Sequence, residues 1–189
     1  MKYLVLLCDG MSDHKIPELG DKTVMQYANT SNFDKLAAGG ICGLIHTAHG
    51  GLYPGSDICN LSIMGYDPFK FYTGRSPLEA GAMGITLGDK DMAFRCNLVT
   101  LTDDSKVMDD FSAHHIGGQT AKDAVTALNE LFKPEGIEFY AGVGYRNIMI
   151  IRNADFELKT TPPHDIMGQE VAQYLPTGKG ADKINAILE

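Results

Sequence analysis

The sequence predicts an α/β fold, with a partial parallel-sheet domain over residues 1–88 followed by an α+β domain over residues 89–189. Two observations favour this division. Before Gly88, short apolar runs of strand length alternate with helical patterns, as they do in parallel sheets. After Gly88, strand-like segments follow one another closely and one long amphipathic helix separates them. The 189 residues suffice for one ordinary domain or for two small ones.

The first region has the pattern of a β-α-β unit. Residues 2–8 form a short apolar run, typical of a strand buried on both faces of a parallel sheet. Residues 23–39 have helical spacing, interrupted near Asn29, and Thr30 or Ser31 could cap the second part. Residues 41–47 again resemble a strand. Because such crossovers are right-handed, the two strands are expected to be parallel.

Two further helices are predicted before Gly88. A glycine-rich loop at 49–56 leads into a helix from about residue 58 to residue 64, with Ser56 or Asp57 at its cap. Another helix begins at Ser76, where Pro77 suits the first position and Glu79 would close a capping box.

The second region is predicted to combine hairpins with one helix. Residues 93–101 alternate like a strand and could pair with residues 106–109 across a turn. Residues 120–132 give the clearest helical pattern in the chain. Two more strands are expected at 137–143 and 145–152, and the chain finishes in a helix-like segment at 181–189.

The sequence also suggests a chain that is part of a longer protein. The segment 181–189 carries no helix-ending signal, and two parallel strands are too few for a covered α/β sheet. We therefore expect that further residues complete the first domain.

The composition limits the classes of partner. Hydrophobic residues make up 44% of the chain, charged residues 21%, and the formal net charge is −8. The basic residues are scattered rather than clustered, which argues against nucleic acid. Any anion bound here would therefore be small and held by a few placed groups. No apolar run is long enough for a membrane span, and we expect no membrane partner.

The sequence predicts a cytoplasmic protein. No pattern of a signal peptide is found. The four cysteines, at positions 8, 42, 59 and 96, are widely spaced and form no C-x-x-C pair. Buried cysteines of this kind usually behave as small hydrophobic residues.

Two residues are candidates for chemistry at strand and helix ends. Asp9 follows the first predicted strand, where a carboxylate suits a hard divalent cation; an Asp in a turn is the alternative. Ser56 stands at a predicted helix start, where unpaired N–H groups and the helix dipole favour an anion. An ordinary capping serine is the alternative reading of Ser56.

Histidines and arginines supply the other candidates. His115, in the pair His114-His115, lies before the long predicted helix, and His164 follows a stiff Pro-Pro segment. Such histidines are more often surface residues. The arginines are Arg75, in a turn before a helix, with Arg95 and Arg146 on predicted strands. Each could bind carboxylate or phosphate with two nitrogens, or form a surface salt bridge.

Several stretches together resemble one known family. The stretch around Ser56 is highly specific, and the similarity runs nearly from end to end. The family is that of the archaeal-type 2,3-bisphosphoglycerate-independent phosphoglycerate mutases, a branch of the alkaline phosphatase superfamily. The matching stretches are L-L-C-D-G-M-S-D at 6–13, P-G-S-D-I-C-N-L-S-I-M-G-Y-D-P at 54–68, Y-T-G-R-S-P-L-E-A at 72–80, F-R-C-N-L-V-T-L at 94–101, G-Y-R at 144–146 and T-P-P-H-D at 161–165.

The resemblance implies an architecture and a metal site. It implies an alkaline-phosphatase-like domain with two divalent metal ions (Mn, Zn, Mg or Co) and an inserted substrate-binding domain. Asp9 and Ser56 would be ligands of one metal, and Ser56 would also be the nucleophile. The other metal ligands would lie in the family's C-terminal half, which this sequence does not contain.

The resemblance also implies how the substrate is held. Arg95, His115 and Arg146 would bind phosphoglycerate, and we expect Arg75 and His164, also in matching stretches, to contact it. His115 is favoured over His114 because relatives commonly have glycine before this histidine.

The implied activity is isomerisation of 3- and 2-phosphoglycerate, a step of glycolysis, without bisphosphoglycerate. Two kinds of alternative remain. Bacterial members of this branch are sometimes labelled as proposed homoserine kinases, and a phosphatase could use the same site. A fragment could also fold as a binding module without catalysis. The sequence does not predict an oligomeric state.

Overall fold

The computed structural model describes residues 1–8, 10–53 and 55–188. The chain divides into two compact units, Met1–Tyr53 and Pro54–Glu189. The mixed α/β class is confirmed. The predicted domain boundary at residue 88 stays a prediction.

The first unit is helical in its ordered elements. A 3₁₀ helix spans Pro17–Leu19, α1 spans Val24–Tyr27 and α2 spans Ser31–Gly39. Thr23 caps α1 in a capping box with Gln26, since each side chain accepts a hydrogen bond from the other's backbone N–H. Thr30 holds the N-cap position of α2. The predicted break near Asn29 is therefore confirmed.

The two strands predicted in this unit are wrong for this structure. Residues 2–8 and 41–47 are in neither strand nor helix. Leu4 is 91% exposed and Leu44 is 106% exposed, although both are apolar. A strand forms only when another strand satisfies its backbone groups. The described residues contain no parallel pairing, so the predicted parallel sheet is not formed.

Three helices open the second unit. They are α3 (Ser56–Ile63), α4 (Pro68–Phe71) and α5 (Arg75–Ala82). The predicted cap at Ser76 is wrong: Gly74, with a φ of 134°, takes the N-cap position, and the first helical residue is Arg75 rather than Pro77. Pro77 then lies in the first turn, where its missing N–H costs nothing.

The strands of the second unit form three small antiparallel sheets. The central sheet has the order β1-β5-β4. β2 pairs with β3 across the predicted turn, and β6 pairs with β7. These pairings confirm the predicted hairpin and the strands on either side of residue 144. The strands are β1 (Met92–Asn97), β2 (Thr100–Leu101), β3 (Met108–Asp110), β4 (Ile137–Tyr140), β5 (Arg146–Ile151), β6 (Glu157–Lys159) and β7 (Thr177–Lys179).

Helices cover both faces of the central sheet. The long helix α6 spans Gly118–Phe132 and α7 spans Ala181–Leu188, and both pack on the face that carries Phe139 and Met149. α5 packs on the other face through Ala80, against Ile148 and Ile150. Ile150 is fully buried. Alternate residues of a strand face opposite sides, so the α5 face is also the face to which Arg95, Asn97 and Arg146 belong.

The remaining helical segments are three short 3₁₀ helices, at Lys133–Glu135, Pro163–Asp165 and Val171–Tyr174. No helix in the described part of the chain is both long and apolar enough to cross a bilayer.

An ion-pair network joins the end of β5 to the segment after α5. Arg152 donates from Nη1 to Asp91 Oδ2 at 2.7 Å and to the Thr86 carbonyl at 3.0 Å. Its Nε and Nη2 bind both carboxylate oxygens of Glu138, at 3.0 and 2.9 Å. A guanidinium held in this way fixes the segment on the sheet edge.

This network makes stability depend on pH through Asp91. The backbone N–H of Gly88, then Arg152 and then the N–H of Asn153 lower the pKa of Asp91 to about 2. Because the carboxylate is favoured in the folded state, Asp91 contributes stability above its unfolded pKa, and that contribution is lost as pH falls from about 4 to about 2. We expect Asp91→Asn to lower stability at pH 6 but much less at pH 2.

Urea unfolding of both proteins between pH 2 and pH 6 measures this effect. Asp89→Asn is the control, since the exposed Asp89 side chain makes no hydrogen bond in the described residues. A difference between wild type and Asp91→Asn that stays constant over this range would contradict the prediction.

Candidate active site

Ser56 is the first residue of α3 and its side chain is exposed. Gly55, not Ser56, takes the N-cap position, so the interpretation of Ser56 as an ordinary capping serine is wrong. The first N–H groups of a helix have no partners within it, and they carry the positive end of the helix dipole. An anion attached to the Ser56 hydroxyl would lie beside these groups.

A hydrogen-bonded triad next to Ser56 joins α3 to α5. The Arg75 guanidinium lies 3.2 Å (Nη2) and 3.4 Å (Nε) from the two oxygens of Asp57. Tyr72 donates its hydroxyl to the same carboxylate. Gly55 gives this carboxylate room, since a Cβ at position 55 would lie 2.3 Å from Asp57 Oδ1.

The triad keeps Asp57 ionised. Burial raises the pKa of this carboxyl, but hydrogen bonds from Arg75 and Tyr72 and the charge of Arg75 together hold it below the ordinary value. Burial and the same carboxylate raise the pKa of Tyr72 to about 12. Arg75 is thus bound by a protein carboxylate, and its Coulomb field at Ser56 is partly cancelled.

A second arginine, Arg95, lies on β1 near Glu79 of α5. Arg95 Nε is 3.9 Å from Glu79 Oε2, a loose ion pair. This Nε atom is buried and has no hydrogen-bond partner among the described residues, and the same is true of Asn97 Oδ1, two residues further along the strand. Buried polar atoms without partners are rare and costly. They mark this part of the sheet face as one that a polar ligand could complete.

Arg146 is the third arginine on this face. It is the register partner of Asn97 across β1 and β5. Its guanidinium lies over the Tyr145 ring, 5.1 Å from the centroid, and the residue is exposed. No carboxylate of the described residues forms an ion pair with Arg146. Its charge is therefore unneutralised.

Aromatic contacts bring the two predicted histidines to the same place. The His115 ring lies 6.4 Å from the Tyr145 ring, and Phe111 lies 5.8 Å from Tyr145. His164 contacts the other side of this cluster, 6.1 Å from Phe111. Both histidines are exposed, so their imidazoles are accessible to a ligand.

His115 and the two residues before it adopt an unusual, left-handed backbone conformation. Ala113, His114 and His115 have φ values of 48°, 52° and 58°. Left-handed conformations cost non-glycine residues about 1–2 kcal/mol each. Asp110 opposes this cost, because its Oδ1 accepts hydrogen bonds from the N–H and hydroxyl of Ser112 and from the N–H of His114.

The described contacts connect the predicted residues of the second unit in two groups, and Arg95 of the first group and Arg146 of the second belong to the α5 face of the central sheet. In the first, Ser56 adjoins the triad of Arg75, and Glu79 lies between Arg75 and Arg95; in the second, Arg146, His115 and His164 are joined through the Tyr145 cluster. Asp9 lies outside the described residues. Sequence reasoning missed several members, because their roles depend on contacts between distant residues: Asp57, Tyr72, Glu79, Asn97, Asp110, Phe111 and Tyr145.

Two open hollows flank different parts of the second unit. One, of about 270 Å³, is lined by Asp57 and Tyr66 and lies next to the triad. The other, of about 660 Å³, is lined by Asp103, Asp104 and Asp109. Three carboxylates would repel a phosphorylated anion, so the larger hollow is the poorer candidate for the site.

The described residues do not complete a metal site. Among them, no group of three or more histidine, cysteine or acidic side chains is placed to hold an ion. Asp9 and Ser56 carry oxygen atoms of the kind that hard divalent ions prefer, but such ions take about six ligands. Any metal here would need most of its ligands from elsewhere.

A serine at a helix N-terminus, with arginines and accessible histidines elsewhere in the same unit, is an arrangement that suits a small phosphorylated anion. Comparison with known proteins agrees with this reading. The model of the 2,3-bisphosphoglycerate-independent phosphoglycerate mutase family matches residues 37–189. The chain therefore belongs to this family.

Similarity to known proteins extends over the whole chain. A probable 2,3-bisphosphoglycerate-independent phosphoglycerate mutase from Geobacter sulfurreducens is 48% identical over 190 residues, covering 100% of this chain and 48% of the relative. The 2,3-bisphosphoglycerate-independent phosphoglycerate mutase 2 from Methanothermobacter thermautotrophicus is 46% identical, and the match covers 100% of this chain and 46% of that protein. The chain thus spans about half the length of the curated relatives it matches.

Solved structures show the same relationship. The cofactor-independent phosphoglycerate mutase from Thermoplasma acidophilum aligns with a TM-score of 0.53 at 25% identity, covering 95% of this chain and 48% of that one. A protein structure from Pyrococcus horikoshii aligns with a TM-score of 0.54 at 34% identity, covering 76% of this chain and 39% of that one.

Proposed function

We propose that the protein containing this chain is a phosphoglycerate mutase that interconverts 3- and 2-phosphoglycerate through a phosphoserine at Ser56. The observation that carries the proposal is the exposed Ser56 hydroxyl at the N-terminus of α3, beside the Asp57–Arg75–Tyr72 triad. Family membership supports it. Because the chain spans about half of its relatives, the activity belongs to the full-length protein.

The architecture implied by the family fits this proposal. Residues 1–88 would belong to an alkaline-phosphatase-like domain, and residues 89–189 to an inserted domain that grips the substrate. In that arrangement the sheet of the second domain presents Arg95 and Arg146 towards the substrate held at Ser56.

The chemistry at Ser56 is a transfer of the phosphoryl group to serine and back. Ser56 Oγ loses its proton and forms a bond to phosphorus, while the bond from phosphorus to the glycerate O3 breaks and O3 takes up a proton. The glycerate then turns, its 2-hydroxyl loses its proton and bonds to phosphorus, the bond from phosphorus to Ser56 Oγ breaks, and Oγ regains a proton. The N–H groups of α3 and the arginines of the site stabilise the oxygens of the transferred group.

The residues of the second unit hold the glycerate while it turns. Arg146, with its unneutralised guanidinium, suits the carboxylate of the substrate. Arg95, His115 and His164 surround the same face. Their task is also to exclude water, since water would hydrolyse the phosphoserine.

Asp9 and Ser56 would contribute oxygen ligands to one of two divalent metal ions, with the other ligands supplied by the rest of the full-length protein. Bound metal would supply positive charge that lowers the pKa of the Ser56 hydroxyl. The reaction fits the cytoplasm, where the four free cysteines would stay reduced.

An assay of the full-length protein tests the proposal. We expect it to convert 3-phosphoglycerate to 2-phosphoglycerate without bisphosphoglycerate, and to lose this activity with a chelator and regain it with Mn²⁺, Zn²⁺, Mg²⁺ or Co²⁺. A parallel assay supplies ATP and homoserine. Strict dependence on bisphosphoglycerate, full activity with the chelator, or nucleotide-dependent phosphorylation of homoserine alone would contradict the proposal.

A further inference from the structure

The left-handed turn at Ala113–His115 is supported by hydrogen bonds to the side chains of Asp110 and Ser112. Ser112 is 1% exposed. Its hydroxyl donates to Asp110 Oδ1 at 2.5 Å and accepts from the N–H of His115 at 3.1 Å. The same carboxylate oxygen accepts from the N–H of Ser112 at 2.7 Å and from the N–H of His114 at 3.1 Å.

These bonds act on the conformation that places His115. A residue with a Cβ rarely takes a positive φ, and three such residues in succession need outside support. In this left-handed turn, Asp110 and Ser112 satisfy the backbone N–H groups of His114 and His115. The His115 ring then lies against Tyr145, whose neighbour Arg146 points its charge over the same ring.

Charges near this carboxylate do not replace the hydrogen bonds. The His114 imidazole is 3.7 Å from Asp110 Oδ2 and 3.7 Å from Asp109 Oδ2, and it is 70% exposed. Contacts this long and this exposed are weak. Asp109 has a carboxylate next to the turn but accepts none of the bonds that hold it, which makes it a matched control.

We infer that Asp110 is a positioning residue, which acts through Ser112 and the His114 amide to hold the turn that presents His115 to a phosphorylated hydroxy acid. The inference rests on the proposed function for its substrate. Its structural half, that Asp110 sets the conformation of residues 113–115, stands on the hydrogen bonds alone.

The kinetic test uses the full-length protein. Asp110→Ala should lower kcat/KM for 3-phosphoglycerate by about 10- to 100-fold, because a displaced binding group costs roughly this much. The loss should lie mostly in KM, since His115 holds the substrate rather than reacting with it. Asp109→Ala should stay within about twofold of wild type, as expected for an exposed surface charge.

A rescue variant separates positioning from a general loss of folding. Glycine tolerates the left-handed region, so His114→Gly in the Asp110→Ala background should restore kcat/KM at least about fivefold. Asp110→Asn keeps an acceptor oxygen and should lose less activity than Asp110→Ala; it also serves if the alanine variant fails to fold. Equal kinetics for Asp109→Ala and Asp110→Ala, or a double variant no better than Asp110→Ala, would overturn the inference.

A spectroscopic test keeps the two proposals apart. In protein labelled with ¹⁵N-histidine, the backbone amide signals of His114 and His115 should move in Asp110→Ala and stay in place in Asp109→Ala. This readout needs no turnover. If wild type converts no phosphoglycerate, the proposed function fails while the amide signals still test the turn; unmoved signals in Asp110→Ala overturn the inference itself.

Discussion

Replacing Ser56 with alanine in the full-length protein should lower mutase turnover by roughly 10³-fold or more, the scale seen when a catalytic nucleophile is removed. Ser62, the other hydroxyl residue of α3, is not at the start of the helix and donates to the Ile58 carbonyl, so it cannot take the place of Ser56. Stability should change by less than about 1 kcal/mol, because Ser56 is exposed and Gly55 holds the N-cap position. Steady-state assays and thermal unfolding measure the two effects.

Ser62→Ala is the matched control. It removes a hydroxyl from the same helix, one that donates to the Ile58 carbonyl at 3.1 Å rather than facing the helix start. Turnover of this variant should stay near that of wild type. Mass spectrometry of enzyme quenched during turnover should also find phosphate on the peptide that contains Ser56. Near-normal activity of Ser56→Ala would exclude Ser56 as the nucleophile.

Local patterns in the sequence predict the second unit well. The apolar spacing of residues 120–132 predicts α6, and the alternation at 93–101 and 145–152 predicts β1 and β5. These elements need only neighbours that the same unit supplies. The runs at 2–8 and 41–47 have equally good strand patterns, yet neither is a strand. Strand formation depends on pairing with another strand, and the sequence of a segment does not indicate whether a partner strand is available.

Helix caps show a second limit. The motif Ser76-Pro77-Leu78-Glu79 fits a capping box as well as any in the chain, but the helix begins at Arg75. Gly74 can take a φ of 134° and thereby becomes the cap. A glycine just before a capping signal therefore makes the helix start uncertain by a residue or more.

The candidate site shows why its members are visible in the sequence only one at a time. Arg75 and Arg146 look alike there, since either could bind an anion or form a surface ion pair. The structure separates them, because Asp57 binds Arg75 from 18 positions away, while Arg146 lies on an aromatic ring and pairs with no carboxylate of the described ranges. The left-handed backbone at Ala113–His115 could not be predicted, because none of these residues is a glycine.

This difference between arginines leads to a second large expected effect. Arg146→Ala in the full-length protein should lower kcat/KM for 3-phosphoglycerate by about 10- to 100-fold, equivalent to about 1.4–2.7 kcal/mol of transition-state binding. Since no carboxylate in the part of the chain that the structure describes pairs with Arg146, its removal leaves no such group unpaired there, and unfolding should be little affected. Arg146→Lys should recover only part of the loss, because an ammonium group cannot bind a carboxylate with two nitrogens or stack flat on Tyr145.

Arg75→Ala is the informative comparison, because the same substitution there has a different structural cost. It leaves the Asp57 carboxylate, whose side chain is 10% exposed, without its cation. Loss of a partner from such a pair destabilises the protein, so Arg75→Ala should lower the unfolding temperature and reduce kcat through the displaced start of α3. Arg146→Ala should instead act on substrate binding with little change in unfolding temperature. If the two variants lose stability equally, or if Arg146→Ala binds 3-phosphoglycerate as tightly as wild type in a calorimetric titration, then the unneutralised charge of Arg146 is not what holds the substrate.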